Sequence, residues 1–514
     1  MRCPMRKRLC APGAQISSSA TAMARNRPWK VPVWKTNLMT ILMRHSEISS
    51  REKSVTMMEY KEFLEHKAQV VPCSGFTFDK AEMNPKLFDW QKDIVSWALR
   101  KGKAALFEDC GLGKTVQQLE WSRIVAEHTG RPALILAPLA VSRQTRNEGH
   151  KFGYEVTICR SQKDVKPGIN ITNYEMLEHF DLSVFGGVAL DESSILKQYS
   201  GKLRTQIIDA CRGTAYKLSC TATPAPNDYM ELGNQAEFLG VMTRSEMLAT
   251  FFVHDGGQTS KWRLKGHAQD DFWEWLAGWA VVLTSPADLG YSDEGYTLPQ
   301  LNVKYVEVPS ELPMAATLSE RRDARRKSLD DRCAAAASLI DSDPNAQWLM
   351  WCDLNDEGEK LRELVHGARE VRGSDTAERK DLRLTAFSEG LLRRLVTKPS
   401  IAGFGLNWQK CHNMIFIGLS DSYEMLYQAI RRCWRFGQRD PVNVYIVISQ
   451  AEGAVRENIE RKDAQCKAMI AEMVKHTKDI LSAEIKATIR MTEAYEPTIE
   501  MKIPAWLIEG GYAA

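Results

Sequence analysis

The stretch ALFEDCGLGKTVQQLEW, residues 105–121, joins an apolar run to two glycines, a lysine and a threonine, and then continues in a helix-like pattern. This order predicts a strand that turns sharply into the start of a helix. The N–H groups at a helix start attract anions, and a lysine beside them adds a full positive charge. The stretch therefore predicts an α/β domain with an anion site at the carboxyl end of one strand.

A nucleoside triphosphate needs inward-pointing N–H groups, a cation near its terminal phosphates and a hydroxyl group for Mg²⁺. Gly111 and Gly113 would let the backbone approach the phosphates. Lys114 would carry the charge, and Thr115 would bind magnesium. The full phosphate-loop pattern has a glycine where this chain has Glu108, so the motif alone is equally consistent with an ordinary strand–turn–helix junction.

Short apolar runs alternate with helical patterns in two parts of the chain. The first set lies between residues 104 and 224, and the second lies between residues 347 and 448. Such alternation is typical of buried parallel strands joined by crossover helices. We therefore expect two α/β domains with parallel sheets, at residues 57–240 and 301–450.

Three other segments differ in composition from these domains. Residues 1–56 begin Arg- and Ser-rich and acid-poor, which is typical of a disordered extension and also of a transit peptide. Residues 241–300 are predicted to be an aromatic-rich insertion or hinge, whose tryptophans pack in a core or between the domains rather than stack on bases. Residues 451–514 are predicted to be a helical tail that packs on the second domain or on a protein partner. The tryptophans are Trp262, Trp273, Trp275 and Trp279.

Composition restricts the class of protein. Twelve cysteines with no CxxC pair and no His/Cys cluster at zinc spacing predict free thiols in a reducing compartment. The formal charge is only +3, so a polyanion would have to be held by local patches. No apolar run reaches the roughly 20 residues of a membrane helix. We expect a soluble, cytoplasmic protein with no membrane partner.

Two acids and two arginines are candidates to complete a nucleotide site. Asp191 and Glu192 end the apolar run VALDE, where a parallel strand presents side chains at the carboxyl edge of its sheet. Asp191 would hold Mg²⁺, and Glu192 would orient and deprotonate an attacking water. Arg432 and Arg435 are three residues apart, so one helix face would present both to a terminal phosphate as arginine fingers. For Arg431 a solvated basic face is an equally good interpretation.

With these motifs in order, the chain resembles the superfamily 2 helicases and translocases, most closely the Swi/Snf-like DNA-dependent ATPases. The matching segments are LFDWQKDIVSWAL, EDCGLGKT, LILAPLAV, ITNYEML, LDESS, CTATPAPND, VTKPSIAGFGLN and QAIRRCWRFGQ. The resemblance implies two RecA-like domains, with ATP in the cleft between them and Mg²⁺ on Thr115 and Asp191. It also places Gln91 in the adenine-reading position and Gly403, in a tight turn, among the nucleotide-site residues.

The chain departs from the family pattern at three positions. Relatives usually carry a histidine where this chain has Ser194, and an aspartate and a histidine where it has Arg431 and Trp434. In relatives these positions help to couple the nucleotide state to DNA. The resemblance therefore implies the phosphate chemistry more directly than the coupling.

The partner implied by the resemblance is duplex DNA. The protein would contact the DNA backbone and would therefore show only a weak sequence preference. Contacts are expected around residues 142–146, at Asn173 and around residues 400–407, because hydroxyl, amide and N–H donors suit phosphates. The basic segment RRDARRKS, residues 321–328, is either a further phosphate contact or a solvated helix face.

The predicted function is ATP-dependent helicase or translocase activity on DNA, in a bacterial protein or a phage protein within its host. One alternative is an RNA-acting helicase of the same superfamily. Another is a non-hydrolysing, ATP-sensing scaffold of a restriction or repair assembly, recruited through residues 452–514. The presence of Glu192, Arg432 and Arg435 argues against the scaffold.

Overall fold

Two parallel β-sheets organise the chain into two α/β domains, which confirms the predicted fold class. All the described residues belong to one compact unit, Val70–Ala514. The expected extension at residues 1–56, and the part of the expected tail after residue 485, lie outside them. The computed structural model describes residues 74–138, 141–197, 201–254, 262–310, 317–402 and 406–485.

A parallel sheet forms the centre of the first domain. The strands of this domain are β1 (Lys103–Glu108), β2 (Ala133–Ala137), β3 (Val156–Ile158), β4 (Ile169–Asn173), β5 (Gly187–Asp191), β6 (Tyr216–Thr221), β7 (Phe252–His254), β8 (Trp262–Leu264) and β9 (Ala280–Leu283). Within the described residues the sheet has seven strands in the order β3-β4-β2-β5-β6-β1-β9, and its neighbouring strands are parallel. Strands β7 and β8 form a separate antiparallel ribbon.

Helices cover both faces of this sheet. They are α1 (Asp89–Lys101), α2 (Lys114–Thr129), α3 (Ser142–Phe152), α4 (Lys202–Ala210), α5 (Leu232–Leu239), α6 (Arg244–Phe251) and α7 (Gln269–Ala277). Alternate strand residues point to opposite faces, so Ala105 and Phe107 of β1 join one core cluster and Ala104 and Leu106 join the other. Burial on both faces explains why the strands read as continuous apolar runs.

The second domain repeats this plan. Its strands are β10 (Leu301–Val308), β11 (Trp348–Cys352), β12 (Arg369–Val371), β13 (Arg394–Thr397), β14 (Asn413–Ile417) and β15 (Val442–Ser449), in the sheet order β10-β15-β14-β11-β13-β12. Its helices are α8 (Leu318–Lys327), α9 (Leu329–Asp341), α10 (Asn355–Leu364), α11 (Ala377–Ser388), α12 (Pro399–Ala402) and α13 (Tyr423–Ile430), followed by α14 (Gly453–Ile485). Short 3₁₀ helices in the two domains are Lys80–Glu82, Gln162–Asp164, Tyr174–His179, Leu182–Val184, Ser193–Lys197, Tyr229–Glu231, Gly266–Ala268, Pro286–Leu289 and Gln450–Glu452.

The segment expected to be an insertion or a hinge, residues 241–300, contributes directly to the first domain. Strand β9 pairs with β1, with Ala280 opposite Ala105 and Leu283 opposite Glu108, and so forms one edge of the sheet. Its four tryptophans lie in or against the first-domain core, as expected. The strand is only four residues long and follows a tryptophan-rich helix. The alternation of apolar runs with helical patterns, which indicated the earlier strands, is therefore hard to recognise here.

Helix α14 forms most of the described part of the expected tail, and it packs on both domains. Ile459 and Cys466 join a core cluster of the second domain, whereas Met473 and Leu481 join the two clusters of the first. With 33 residues the helix is about 50 Å long, enough to cross from one domain to the other. The expectation of packing on the second domain is therefore correct for its first half only.

The basic segment at residues 321–328 lies mainly on α8 and is only partly a solvated face. Arg321 pairs with Asp421, and Arg325 pairs with Asp353. The neighbouring basic side chains at residues 322, 326 and 327 are exposed. Among the described residues, no helix combines the length and the apolar character needed to cross a bilayer.

Candidate functional site

The turn between β1 and α2 has the backbone geometry of an anion-binding loop. Gly111 and Gly113 have φ angles of 97° and 85°, in the left-handed region that glycine tolerates best. A Cβ atom on Gly111 would lie 2.9 Å from the backbone nitrogen of Phe436, and one on Gly113 would lie 2.4 Å from Nε2 of Gln91. Both positions therefore disfavour a side chain on conformational grounds, and Gly111 also does so on steric grounds, because the atom it would meet belongs to the backbone.

Lys114 and Gln91 hold this turn from two sides. The Nζ atom of Lys114 donates hydrogen bonds to the carbonyl oxygens of Glu108 and Asp109, at 2.6 and 3.1 Å. The Nε2 atom of Gln91 donates to the carbonyl oxygen of Leu112 at 2.9 Å. Gln91 thus fixes the turn in addition to lining the cavity described below.

Glu108 shows why the phosphate-loop pattern is incomplete. It is the last residue of β1, so its extended backbone does not require a glycine. Its carboxyl group is fully buried and accepts a hydrogen bond from Nε2 of Gln117 at 2.8 Å, while its Oε1 has no partner. Burial raises the pKa of Glu108 to about 7, against the opposing effect of the Lys114 charge. The side chain belongs to the domain interior, and the turn begins at residue 109.

Asp191 and Glu192 lie at the carboxyl end of β5, the position the sequence predicted. Strands β5 and β1 are parallel neighbours of β6, so this end lies at the same edge of the sheet as the glycine turn. Among the described residues, Glu192 alone combines a side chain with a left-handed backbone, at a φ of 55°. Such a conformation costs about 1–3 kcal/mol and is typical of functional sites.

Both carboxyl groups ionise less readily than usual. Burial, reinforced by the charge of Asp191, raises the pKa of Glu192 to about 7. Burial also raises the pKa of Asp191. The Oε2 atom of Glu192 is buried and has no hydrogen-bond partner. A carboxyl group with a pKa near 7 is suited to take a proton from water at neutral pH.

The arginines of the second domain lie in turns, so the prediction that Arg432 and Arg435 share a helix face is wrong. Helix α13 ends at Ile430, and residues 431–437 form turns and bends. The N–H group of Cys433 donates to the carbonyl oxygen of Ile430 at 3.2 Å, a three-residue bond that tightens the helix end. The chain then leaves the helix axis before it reaches Arg435.

The two guanidinium groups are nevertheless held close together. The Nη1 atoms of Arg432 and Arg435 donate to one carbonyl oxygen, that of Leu406, at 3.2 and 3.5 Å. Gln428 fixes Arg432 further, because its backbone and side-chain oxygens accept from Nε and Nη2 at 2.9 and 3.0 Å. Burial, followed by the charge of Arg432, lowers the pKa of Arg435 to about 10. Arg432 is buried and Arg435 is half-buried, and two adjacent cations favour a polyanionic ligand.

One cavity of about 240 Å³ joins these groups from the two domains. Arg432 and Arg435 of the second domain reach the same cavity as the turn and the acids of the first. Gly403 lies outside the described residues. The predicted site residues that line the cavity from the first domain are Gln91, Gly111, Gly113, Lys114, Thr115, Asp191 and Glu192.

Further residues that the sequence did not single out for this site also line the cavity. Helix α3 contributes Gln144, Thr145 and Glu148, and the first two belong to the segment expected to contact DNA. Gln144 and Glu148 are four residues apart, so they lie on one face of a helix, and this spacing was the sequence signal that could have identified them. At another part of the wall the rings of Tyr296 and Phe436 pack with their centroids 4.7 Å apart. No sequence pattern connects these two rings, because they come from distant segments.

Of the other residues expected to contact DNA, Asn407 lines the same cavity, whereas Arg143 and Asn173 lie elsewhere. Arg143 is exposed, with Nη1 3.9 Å from Oδ2 of Asp381 in the second domain. Asn173 ends β4 and donates to the carboxylate of Glu175 at 2.9 Å. Residues 403–405 lie outside the described residues. The DNA contacts stay predictions.

Comparison with known proteins bears mainly on the second domain. Residues 331–437 match the family described as the helicase conserved C-terminal domain. One solved structure similar to the chain is the Sulfolobus solfataricus SWI2/SNF2 ATPase core in complex with dsDNA. Its sequence is 16% identical, the match covers 80% of this chain and 99% of that one, and the TM-score is 0.38. No curated protein is significantly similar in sequence. The segment that carries Arg432 and Arg435 is thus similar to the helicase conserved C-terminal domain.

Proposed function

We propose that this protein is an ATP-dependent helicase or translocase that acts on DNA. The observation that carries the proposal is the shared cavity, in which the glycine turn of the first domain faces the arginines of the second. The family match of residues 331–437 supports the same function. ATP would be the substrate, with its phosphates at Lys114 and its base toward Gln91.

Mg²⁺ fits the groups that line this cavity. Thr115 and Asp191 of the first domain both line it, and Mg²⁺ takes oxygen ligands such as a hydroxyl group and a carboxylate. Burial raises the pKa of Asp191, and a bound cation would offset the cost of ionising it. Thr115 and Asp191 are the residues that would hold the ion. When bound, the ion would neutralise charge on the phosphate oxygens.

Each charged side chain then has a defined role. Lys114 would exchange its two backbone acceptors for phosphate oxygens. Glu192 would accept a proton from the attacking water, because this residue lines the cavity and its pKa of about 7 suits a general base at neutral pH. Arg432 and Arg435 would stabilise the negative charge that develops on the terminal phosphoryl group.

Hydrolysis would be coupled to movement because the two halves of the site belong to different domains. Bound ATP favours the closed arrangement, in which the arginines reach the phosphates, and loss of the terminal phosphate weakens it. DNA-contacting segments on both domains would then shift relative to each other in every cycle. This coupling distinguishes a translocase from a simple ATPase.

ATPase assays with duplex DNA, single-stranded DNA and RNA test the proposal. We expect duplex DNA to stimulate hydrolysis with little dependence on sequence, and we expect the stimulation to fall as salt is raised. Lys114→Ala serves as the negative control. Stimulation by RNA alone would indicate an RNA helicase, and no hydrolysis with any polymer would favour the ATP-sensing scaffold. A strand-displacement assay separates unwinding from movement along the duplex.

A further inference from the structure

Side chains of the second domain bind the glycine turn directly, through contacts that none of the roles above uses. The carboxylate of Asp109 accepts hydrogen bonds from the hydroxyl group of Tyr427 at 2.5 Å and from Nη2 of Arg431 at 2.6 Å. The same Nη2 donates to the carbonyl oxygen of Cys110 at 2.7 Å. Asp109, Tyr427 and Arg431 are named the interdomain clasp below.

The clasp is shielded from water on the second-domain side. Arg431 is only 2% exposed, and Asp109 is 25% exposed. The guanidinium group of Arg431 also stacks on the ring of Trp434, with its central carbon 4.8 Å from the ring centroid. Removal of one partner from such a contact leaves the other charge buried and uncompensated. The solvated basic face considered for Arg431 is therefore wrong.

The clasp uses positions at which the sequence departs from the family pattern. Arg431 stands where relatives usually carry an aspartate, and Trp434 stands where they usually carry a histidine. Here Arg431 bonds the turn, and Trp434 supports it while its Nε1 donates to the carbonyl oxygen of Pro299 at 2.7 Å. An arginine at position 431 requires an acid opposite, and Asp109 supplies it.

The clasp holds Asp109, which also bonds Lys114. The backbone carbonyl of Asp109 accepts from Nζ of Lys114, and its Oδ1 also accepts from the N–H group of Cys110 at 2.6 Å. The side chain of Asp109 is thus restrained both by its own turn and by the second domain. Domain separation would withdraw Tyr427 and Arg431 and release one of these restraints.

We infer that the interdomain clasp positions the glycine turn, so that the turn holds its phosphate-binding geometry only when the two domains are closed. Asp109, Tyr427 and Arg431 are positioning residues, which act through the backbone of residues 109–113 without touching ATP. The inference rests on the proposed function. By linkage, domain closure strengthens ATP binding and bound ATP strengthens closure by the same factor.

A double-mutant cycle tests the clasp. Asp109→Asn and Arg431→Gln should each lower kcat/KM for ATP by about tenfold to a hundredfold. The double variant should be no worse than Arg431→Gln alone, because that substitution already removes the bonds from Arg431 to Asp109 and to the carbonyl oxygen of Cys110. Arg431→Lys, which keeps the charge, should recover part of the loss. Additive losses would overturn the inference.

A matched control separates the clasp from interdomain contacts in general. Asp381→Asn removes a different ion pair between the domains, in which Asp381 and Arg143 are exposed and 3.9 Å apart. This variant should keep the wild-type kcat/KM, because exposed pairs contribute little. A loss as large as that of Arg431→Gln would overturn the specific role of the clasp.

Hydrogen exchange gives a readout that does not depend on catalysis. Arg431→Gln, a substitution in the second domain, should accelerate amide exchange at residues 109–116 of the first domain by about tenfold or more, with β1 and β5 unchanged. No change at residues 109–116, or equal acceleration throughout the first domain, would overturn the inference. If the wild-type protein hydrolyses no ATP, the proposed function fails, and the exchange result still decides whether the clasp positions the turn.

Discussion

Arg432 and Arg435 share the carbonyl oxygen of Leu406 as an acceptor, so two positive charges lie side by side in a largely dry place. Their repulsion and burial make the site unfavourable without an anion, which is consistent with the lowered pKa of Arg435. Gln428 holds Arg432 with two further bonds, whereas Nε of Arg435 has no partner. Arg435 is therefore the guanidinium group with more capacity to bind a new oxygen.

Arg435→Ala should bind ATP but hydrolyse it very slowly. An arginine finger contributes a factor of about 10³ to 10⁵ in related reactions, so kcat should fall by at least about 10³. Arg435→Lys keeps the charge without the planar fork and should give an intermediate rate. Single-turnover kinetics and equilibrium ATP binding measure the two effects separately. A turnover of Arg435→Ala within a few-fold of wild type would exclude the role.

The raised pKa of Glu192 predicts the pH dependence of hydrolysis. As the proposed base, Glu192 must be ionised to accept a proton, and its pKa is raised to about 7, so kcat/KM should rise with pH and reach half its maximum near pH 7. Glu192→Gln should lose both the activity and this acid limb. Arg435→Lys retains Glu192, so its activity should rise with pH in the same way as that of wild type, although the rate is lower throughout. An unchanged acid limb in Glu192→Gln would assign the titration to another group.

At the scale of elements, strands were predictable and helix ends were less so. The runs that form β1 and β5 are buried on both faces and read as uninterrupted apolar stretches, so the sequence locates the turn at Gly111 and the acids at Asp191. Helix α13 ends at Ile430, and two residues later the guanidinium group of Arg432 bonds the carbonyl oxygen of Leu406, which is distant in the sequence. That information lies in tertiary contacts, and the pattern of residues 427–438 alone favours a longer helix.

Glu108, at the end of β1, predicts a pH-dependent stability that a single substitution removes. Burial raises its pKa from 4.5 to about 7, so the folded state binds this proton more tightly, and stability falls as pH rises from about 4.5 to about 7. At pH 8 the buried charge costs on the order of 3 kcal/mol. Glu108→Gln removes that charge and offers a donor to Oε1 of Gln117, which has no partner.

The melting temperature of Glu108→Gln should therefore exceed that of wild type by several degrees at pH 8, and the difference should narrow toward pH 5. Thermal unfolding followed across this range measures it. Glu155→Gln replaces an exposed carboxyl group and is the matched control, with no change expected at either pH. A melting temperature for Glu108→Gln at or below wild type at pH 8 would contradict the burial argument.

At the scale of the whole molecule, the contacts that join the domains were the least predictable. Asp109 and Arg431 are separated by 322 positions, and a pairing at that distance leaves no local pattern. The amphipathic pattern of α14 predicted a packed helix, but a periodic apolar face does not specify which domain covers it. In the structure the first half of this helix packs on the second domain, and the second half packs on the first domain. A protein partner for the tail stays a prediction.

The last turn of α14 shows how this helix is attached to the first domain. The carboxylate of Glu484 lies 3.0 Å from Nζ of Lys101 and accepts a hydrogen bond from Nε1 of Trp97 at 2.9 Å. The backbone carbonyl of Glu484 accepts from Nη2 of Arg100 at 3.1 Å. Lys101 is only 5% exposed, so this carboxylate replaces water as a partner of its ammonium group.

Glu484→Ala should weaken this attachment, because it leaves the buried ammonium group of Lys101 without its carboxylate partner. We expect a loss of about 1–3 kcal/mol and a melting temperature lower by several degrees. Limited proteolysis should show faster cleavage in the second half of α14, since its first half remains packed on the second domain. Lys475→Ala breaks only an exposed pair with Glu472 on the same helix and should match wild type in both measurements. If the two variants behave alike, the contact at Lys101 does not hold the helix, and apolar contacts such as those of Met473 and Leu481 attach it to the first domain.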